Sequence, residues 1–293
     1  MINKITKPFW LVVLLLVLPQ LPMLVEAGQA RGLLWKIEGA ASRPSYILGT
    51  MHSEDPRIVN LPRPIKSVFE QADSFTAELN MEMGNLTQAS QRMFYTDGTK
   101  LQNMIDRQLY QDSVRLLAEY NIPAMLVEKM KPWAVATTLS MPRSSTGLFL
   151  DLVLFMQAQA MGKRTYGLES IDEQLSVFEN MPLKQQLNML RDAVREYDAN
   201  QAMLATLVER YLQRDLEGIR RLSASYMQKG DSQVADYFQK TIINERNLRM
   251  LKRMQPRLKQ GNAFIAVGAL HLTGEEGLLR LLEKQGLRVS PVY

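Results

Sequence analysis

The sequence predicts an α/β fold with a central, mostly parallel sheet, an N-terminal hairpin and a large helical insertion. Two apolar runs, residues 45–48 and 263–267, each end in the pattern Gly-x-x-His and indicate buried strands. The stretches of about 84–162 and 183–258 follow helical spacing instead, and they form the predicted insertion. Strands that alternate with helices are typical of α/β proteins.

The first predicted elements are a hairpin followed by a strand, helix, strand unit. Residues 33–39 and 45–49 flank a turn that contains a proline, which predicts two antiparallel strands. Residues 64–72 carry a proline in the first turn of a predicted helix. The next strand, residues 74–79, brings an acid, Glu78, close to its end.

Two capping boxes and one proline indicate further element boundaries. Residues 170–173 and 273–276 both read Ser/Thr-x-x-Glu, which predicts that a helix begins at each. Pro291 lacks a backbone donor, so the last strand should lie at the edge of the sheet. The other predicted helices cover residues 101–120, 131 onwards, 148–161 and 232–258, and the other predicted strands cover residues 164–169 and 287–293.

The first 27 residues read as an export signal, which leaves residues 28–293 as one domain. Lys4 and Lys7 precede an apolar run, and small residues follow it, as in a cleaved signal peptide. An uncleaved anchor helix is the alternative. No second apolar stretch reaches membrane length, so we expect no stable membrane span once the signal is removed.

Composition limits the chemistry that the chain can perform. Its hydrophobic content of 46% suffices for a sizeable core. The absence of cysteine excludes thiolate catalysis and cysteine-ligated metals. The net charge of +5 comes from basic residues interspersed with acids, without a basic stripe that alternates with aromatics, and this predicts no nucleic-acid partner.

The only two histidines of the chain, His52 and His271, each follow the end of a predicted strand. Ligands of open α/β sheets collect at that edge, and Glu78 and Glu169 also lie at strand ends. Imidazole and carboxylate groups together suit zinc, manganese, iron or cobalt. The sequence therefore predicts a metal site formed by His52, His271, Glu78 and Glu169, with His52, Glu78 and His271 as the catalytic residues.

Each of these residues also has a purely structural interpretation. A histidine after a strand can hydrogen-bond a loop carbonyl. Glu78 can face water from an edge strand, and Glu169 can interact with the dipole of the following helix.

Arg246 and Asn247, in the last long predicted helix, are candidate substrate-binding residues. The planar guanidinium of Arg246 is suited to a substrate carboxylate, and Asn247 can orient a carbonyl. The alternative is that both lie on a solvated helix face.

Six short motifs follow one another along the chain: GTMH at 49–52, AEL at 77–79, KPW at 131–133, GLES at 167–170, ERN at 245–247 and GALHL at 268–272. In this order they resemble the TraB/GumN family, which includes the Tiki proteases. The resemblance covers nearly the whole chain after residue 27 and is strongest to the exported bacterial GumN-like branch, which implies a periplasmic location.

The resemblance implies an α/β fold similar to the erythromycin esterase and ChaN-like group. From the Tiki branch it implies a metal-dependent peptidase that favours manganese or cobalt. Asp151 lies in a segment that departs from the family pattern and is left out of the predicted site. The positions that match the motif core are His52, Glu78 and His271, and those that match flanking motifs are Glu169, Arg246 and Asn247.

The sequence thus predicts an exported, metal-dependent hydrolase of peptide bonds, with a divalent transition metal as cofactor and a peptide or protein as substrate. Two alternatives stay open. One is a metal-independent hydrolase, in which a histidine is the general base and a glutamate orients the water. The other is a non-catalytic exported protein that binds a peptide, a metal or a haem-like ligand beneath the helical segment.

Overall fold

A mixed six-stranded sheet forms the centre of the α/β fold. The computed structural model describes residues 31–144 and 146–293, so the predicted signal at residues 1–27 lies outside the described residues. The strands are β1 (Leu34–Glu38), β2 (Ser45–Thr50), β3 (Ser74–Leu79), β4 (Arg164–Glu169), β5 (Ala263–Gly268) and β6 (Arg288–Pro291).

The strand order β4-β3-β5-β2-β1-β6 divides the sheet into a parallel and an antiparallel part. The four strands from β4 to β2 run parallel, whereas β1 pairs antiparallel with both β2 and β6. The predicted hairpin and the predicted edge position of the last strand are both confirmed. The sheet is therefore mixed, because the hairpin and the C-terminal strand add two antiparallel pairings to a parallel core.

Fourteen α-helices connect and surround these strands in the described part of the chain. Short 3₁₀ turns cover Leu101–Asn103 and Ala269–His271, and a π-helical segment covers Phe238–Asn244. None of the helices in residues 31–144 and 146–293 has the length and apolar character of a membrane span. The helices are α1 (Pro56–Val59), α2 (Arg63–Gln71), α3 (Met83–Arg92), α4 (Arg107–Ala118), α5 (Ala124–Val127), α6 (Pro132–Leu139), α7 (Leu150–Ala160), α8 (Ile171–Glu179), α9 (Leu183–Arg195), α10 (Tyr197–Leu212), α11 (Leu216–Met227), α12 (Ser232–Tyr237), α13 (Glu245–Gln260) and α14 (Leu278–Lys284).

Two hydrophobic cores hold the molecule together. The larger core surrounds the sheet, where Phe69 of α2 contacts the rings of Phe75 and Phe264 edge-on. The smaller core lies among α4, α5, α6 and α9 and includes Trp133, stacked on Phe178. The predicted insertion at 84–162 and 183–258 therefore has a core of its own.

The two ends of the predicted insertion belong to the sheet layer. Helix α7 packs on β3 and β4, and α13 packs on β4 and β5. Both helices contribute buried apolar side chains to the sheet core. They are the crossover helices that join successive parallel strands, as a parallel sheet requires. Helical spacing alone does not separate a crossover helix from an inserted one.

One of the two predicted capping boxes is confirmed and the other is wrong. The Ser170 hydroxyl accepts from the Glu173 amide at 3.2 Å, and the Glu173 carboxylate accepts from the Ser170 amide at 2.9 Å. After Thr273 no helix begins, because Gly274 adopts a φ of 88° and turns the chain. The helix α14 starts only at Leu278, without a side-chain cap.

The predicted helix at residues 101–120 is also interrupted. A 3₁₀ turn covers Leu101–Asn103, and α4 starts four residues later. The Asp106 side chain accepts from the amide of Leu109 at 2.9 Å and is the N-cap of α4. The predicted end is confirmed, since Asn121 adopts a φ of 59° just beyond the helix.

Candidate active site

The two histidines lie beyond the ends of adjacent parallel strands. In the register of β2 and β5, Thr50 is paired with Gly268. His52 follows Thr50 by two residues, and His271 ends the 3₁₀ turn that follows Gly268. The two Gly-x-x-His motifs therefore share one edge of the sheet. Gly49 leaves little room for a side chain there, since a Cβ at this position would lie 2.9 Å from a methyl carbon of Leu272 and 3.2 Å from Cα of Ala269.

Glu78 lies beside His271 and is held by hydrogen bonds to both of its oxygens. Oε1 accepts from the amide of Gly268 at 2.7 Å and lies 3.7 Å from Nε2 of His271. Oε2 accepts from Nη2 of Arg246 at 2.6 Å and from Nε2 of Gln174 at 3.2 Å. Burial raises the pKa of Glu78, but the charges of Arg246 and His271 and the Gly268 amide lower it to about 2. Glu78 is therefore an anion near neutral pH.

His271 is buried and neutral. Its Nδ1 lies 2.7 Å from Oδ1 of Asn247, and its Nε2 faces Glu78. Burial lowers the pKa of His271 to about 4; the charge of Glu78 opposes this change and that of Arg246 adds to it. An imidazole with this pKa carries no charge near neutral pH.

His52 has a different environment at the surface of the site. Its side chain is 46% exposed, and its Nδ1 lies 3.5 Å from Oδ2 of Asp151. Its ring stacks on Phe149, with the ring centroids 4.4 Å apart. The Glu54 carboxylate accepts a hydrogen bond from the Gly147 amide at 2.6 Å. This bond links the segment before α7 to the loop that contains His52.

Asp151 lies beside His52 in the first turn of α7, although it does not belong to the site predicted from the sequence. It is 4% exposed, and its Oδ1 accepts a hydrogen bond from the Thr50 hydroxyl at 2.6 Å. Its Oδ2 has no hydrogen-bond partner among the residues that the structure describes. Burial raises the pKa of Asp151, while a charge on His52 and the Thr50 hydrogen bond act in the opposite direction. One signal in the sequence is that Asp151 is the single charged residue of a mostly apolar helix.

Arg246 and Glu169 are engaged with each other beneath the site. Nε of Arg246 donates to Oε2 of Glu169 at 2.8 Å, and Nη2 bridges Glu169 and Glu78. Oε1 of Glu169 lies 2.7 Å from Nη1 of Arg249. The guanidinium predicted to bind substrate already holds two carboxylates, and both oxygens of the predicted metal ligand Glu169 are paired with arginines. This arrangement orients Glu78.

A π-helical segment, Phe238–Asn244, directly precedes these residues. Such segments shift the phase of a helix and are frequent near functional sites. Beyond it, Arg246 is directed at the carboxylates and Asn247 at His271. Asn247 is fully buried, so neither residue lies on a solvated helix face.

The side chains are of the right kind for a divalent metal ion but are not gathered around one point. His271 and His52 offer ring nitrogens, and Glu78 and Asp151 offer oxygens, one of which, Oδ2 of Asp151, has no hydrogen-bond partner in the described part of the chain. They form two pairs, His271 with Glu78 and His52 with Asp151. In the described residues no three His, Asp or Glu side chains form a group that could hold a metal ion.

Comparison with known proteins identifies similar sequences across almost the whole chain. The model of the TraB/PrgY/gumN family matches residues 33–291. Metalloprotease TIKI2 of Danio rerio is 24% identical over 307 residues, which cover 84% of this chain and 58% of TIKI2. Metalloprotease TIKI1 of Xenopus tropicalis is 25% identical over 324 residues, covering 90% of this chain and 62% of TIKI1. The uncharacterized protein YbaP of Shigella flexneri is 22% identical over 250 residues, covering 82% of this chain and 88% of YbaP.

The chain spans about three fifths of the length of the TIKI proteins that it matches. No solved structure matches significantly. The predicted similarity to the erythromycin esterase and ChaN-like group therefore stays a prediction.

Proposed function

This chain belongs to the TraB/PrgY/gumN family, and from that premise we propose that it is a peptidase-type hydrolase. Its TIKI relatives are named metalloproteases, at about 24% identity. The observation that carries the proposal is the presence of two histidines with different partners, one carboxylate and one amide, at adjacent strand ends. The exported, periplasmic location and the peptide or protein substrate belong to the same proposal.

The partners of the two histidines support a division of roles. His52 is half-exposed, and its Nδ1 lies 3.5 Å from the buried Asp151 carboxyl group, so its ring is the one that can reach a water molecule and exchange a proton with it. His271 is buried, close to the charge of Arg246, and bonded to a neutral amide, so it stays uncharged. In this proposal His52 is the general base, and Asp151 orients it.

Glu78 is proposed to hold a fixed negative charge rather than to move the proton. A general base works best when its pKa lies near the working pH, and a pKa of about 2 makes a weak base. The anion, oriented by Gly268 and Arg246, accepts a hydrogen bond from the attacking water or attracts a cation.

Hydrolysis then needs two proton movements. His52 takes a proton from water as the water oxygen forms a bond to the carbonyl carbon of the peptide. It returns this proton to the amine nitrogen as the carbon–nitrogen bond breaks. The products are a carboxylic acid and an amine.

A divalent transition metal remains the cofactor prediction. Of the predicted ligands, His271 and Glu78 would hold it, because their Nε2 and Oε1 atoms lie 3.7 Å apart, whereas His52 is the general base and Glu169 is paired with arginines. Such an ion, manganese, cobalt, zinc or iron, would polarise the carbonyl and acidify the water. A metal-independent hydrolase is the second candidate, and the histidine–aspartate pair favours it because it supplies a base without an ion.

Peptide cleavage by the purified full-length protein tests the proposal. The substrate is a random peptide library, with and without added manganese, cobalt or zinc, and new termini are identified by mass spectrometry. His52→Ala should lower the rate by about 100-fold or more, and Asp151→Asn by at least about 10-fold. Asp112→Asn, at an aspartate on the outer helix α4, is the control and should leave the rate unchanged.

Elemental analysis separates the two candidates. About one metal ion per chain in the parent protein, and none in a folded His52→Ala/His271→Ala protein, would support the metal-dependent reaction. Cleavage that persists after treatment with a chelator would support the metal-independent one. If no peptide is cleaved with or without metal, or if His52→Ala is as active as the parent, the proposal fails.

A further inference from the structure

The orientation of the Asn247 side chain is determined by a backbone carbonyl. Asn247 is 0% exposed and projects from α13 between Glu276 and the ring of His271. Its Nδ2 lies 2.7 Å from the carbonyl oxygen of Glu276. A carbonyl oxygen only accepts hydrogen bonds, so the amide nitrogen must point towards it and the amide oxygen must point away.

This orientation fixes the protonated nitrogen of His271. The Asn247 oxygen lies 2.7 Å from Nδ1 of His271, and an amide oxygen only accepts. Nδ1 must therefore carry the proton. A neutral imidazole has one N–H, so Nε2 keeps a free lone pair. We infer that Asn247 is a positioning residue, which holds His271 in the Nδ1–H tautomer and directs the lone pair of Nε2 into the site.

The Nδ1–H tautomer of His271 determines how this residue can interact with Glu78. Nε2 of His271 and Oε1 of Glu78 lie 3.7 Å apart, and in this tautomer both atoms are acceptors. They do not hydrogen-bond to each other, but they can share a group that donates to both or binds to both, such as a water molecule or a divalent cation. Without Asn247, the proton should move to Nε2, because a carboxylate is the stronger acceptor. Nε2–H would then donate a hydrogen bond to Glu78. No water molecule or cation could be shared between these two atoms.

The role of the free lone pair in the reaction rests on the proposed function, whereas the tautomer itself does not. Ring nitrogen NMR therefore tests the inference without any activity. The chain has two histidines, and His52→Ala leaves only His271 to observe. In this protein near pH 7, labelled with ¹⁵N-histidine, Nδ1 should have the chemical shift of a protonated ring nitrogen and Nε2 that of an unprotonated one.

Replacement of Asn247 provides a second test of the tautomer. Asn247→Ala, in the His52→Ala background, should move the proton of His271 to Nε2. Asn200→Ala is the matched control, because Asn200 is a buried amide that donates to the Leu139 carbonyl in the helical region. This control should leave the His271 spectrum unchanged.

An Nε2–H tautomer or an equal mixture in the His52→Ala protein would overturn the inference, even if Asn247→Ala does not fold. So would an unchanged Nδ1–H tautomer in a folded Asn247→Ala protein. If peptide cleavage is found, Asn247→Ala in the otherwise native chain should lower the rate by about 10- to 100-fold. An Nδ1–H tautomer in a protein that cleaves no peptide would support the inference while the proposed function fails.

Discussion

Replacing Arg246 with methionine should destabilise the protein by about 3 kcal/mol or more near pH 7. Arg246 is 6% exposed, and its Nη2 lies 2.6 Å from Oε2 of Glu78 and 2.7 Å from Oε2 of Glu169. Methionine fills much of the same space without a charge. Glu169 keeps its second partner, Arg249, but Glu78 loses its main counter-charge.

Two observations bear on this magnitude. Removing one partner of a buried ion pair costs about 3 to 5 kcal/mol. Independently, the pKa of Glu78 falls from 4.5 to about 2 on folding. At about 1.4 kcal/mol for each tenfold change in proton affinity, this net shift corresponds to about 3 kcal/mol of stability near neutral pH, and the charge of Arg246 is the largest of the contributions that lower the pKa.

The effect should depend on pH in a defined direction. Because the pKa of Glu78 is lowered in the folded state, its stabilisation is present above the unfolded pKa of 4.5 and is lost as the pH falls towards 2. In Arg246→Met the pKa of Glu78 should be higher than in the parent, because burial raises it and the largest opposing charge is gone. The difference in unfolding free energy between the two proteins should therefore be largest near pH 7 and smaller near pH 3.

Urea unfolding followed by circular dichroism, near pH 7 and near pH 3, measures both effects. Arg249→Met is the matched control from the same helix, since Arg249 is 30% exposed and contacts only Glu169 of the two carboxylates. It should cost less than Arg246→Met, because Glu169 keeps its bonds to Arg246 and Glu78 keeps its counter-charge. Adding Glu78→Gln to Arg246→Met should restore part of the loss. Equal stabilities of Arg246→Met and Arg249→Met near pH 7, or a deficit that does not change with pH, would refute the reasoning.

Two further predictions concern residues around the site and the sheet. Thr50→Val removes the hydroxyl hydrogen bond donated to the buried Asp151 side chain and should cost about 1 to 3 kcal/mol in urea unfolding; a change within about 0.5 kcal/mol would contradict this. Gly261→Ala should lower the melting temperature, because Gly261 has a φ of 76° and a Cβ would lie 2.9 Å from the Arg43 carbonyl oxygen. Gly84→Ala, in α3 with no atom within 4 Å of the new Cβ, should instead stabilise by about 0.5 to 1 kcal/mol, and equal melting temperatures of the two variants would argue against the strain.

Local patterns identified all six strands of the sheet in the described residues. Residues 263–267 form the continuous apolar run of a strand buried on both faces, and all five are buried in β5. Ser170 begins a helix as predicted, since both hydrogen bonds of a capping box join residues three apart. The same pattern failed at Thr273, where the positive φ of Gly274 turns the chain before a helix can form.

The placement of His52 and His271 at one edge of the sheet also followed from local pattern, because the ends of parallel strands lie at one edge. The partners of the charged residues did not. Arg246 contacts Glu78 and Glu169 across 168 and 77 residues, and Thr50 reaches Asp151 across 101. No periodicity or spacing connects residues so far apart, and a buried arginine has the same sequence signature as an exposed one.

The sequence by itself determined the class of fold, the family and the edge of the sheet where the two histidines lie, because these depend on short apolar runs and motifs. Only the tertiary structure decided the electrostatics of the site. It gave His52 a carboxylate and His271 an amide, and it paired Arg246 with two buried acids. The physical reason is that the charge and tautomer of a side chain depend on its burial and on its neighbours, which only the folded chain brings together.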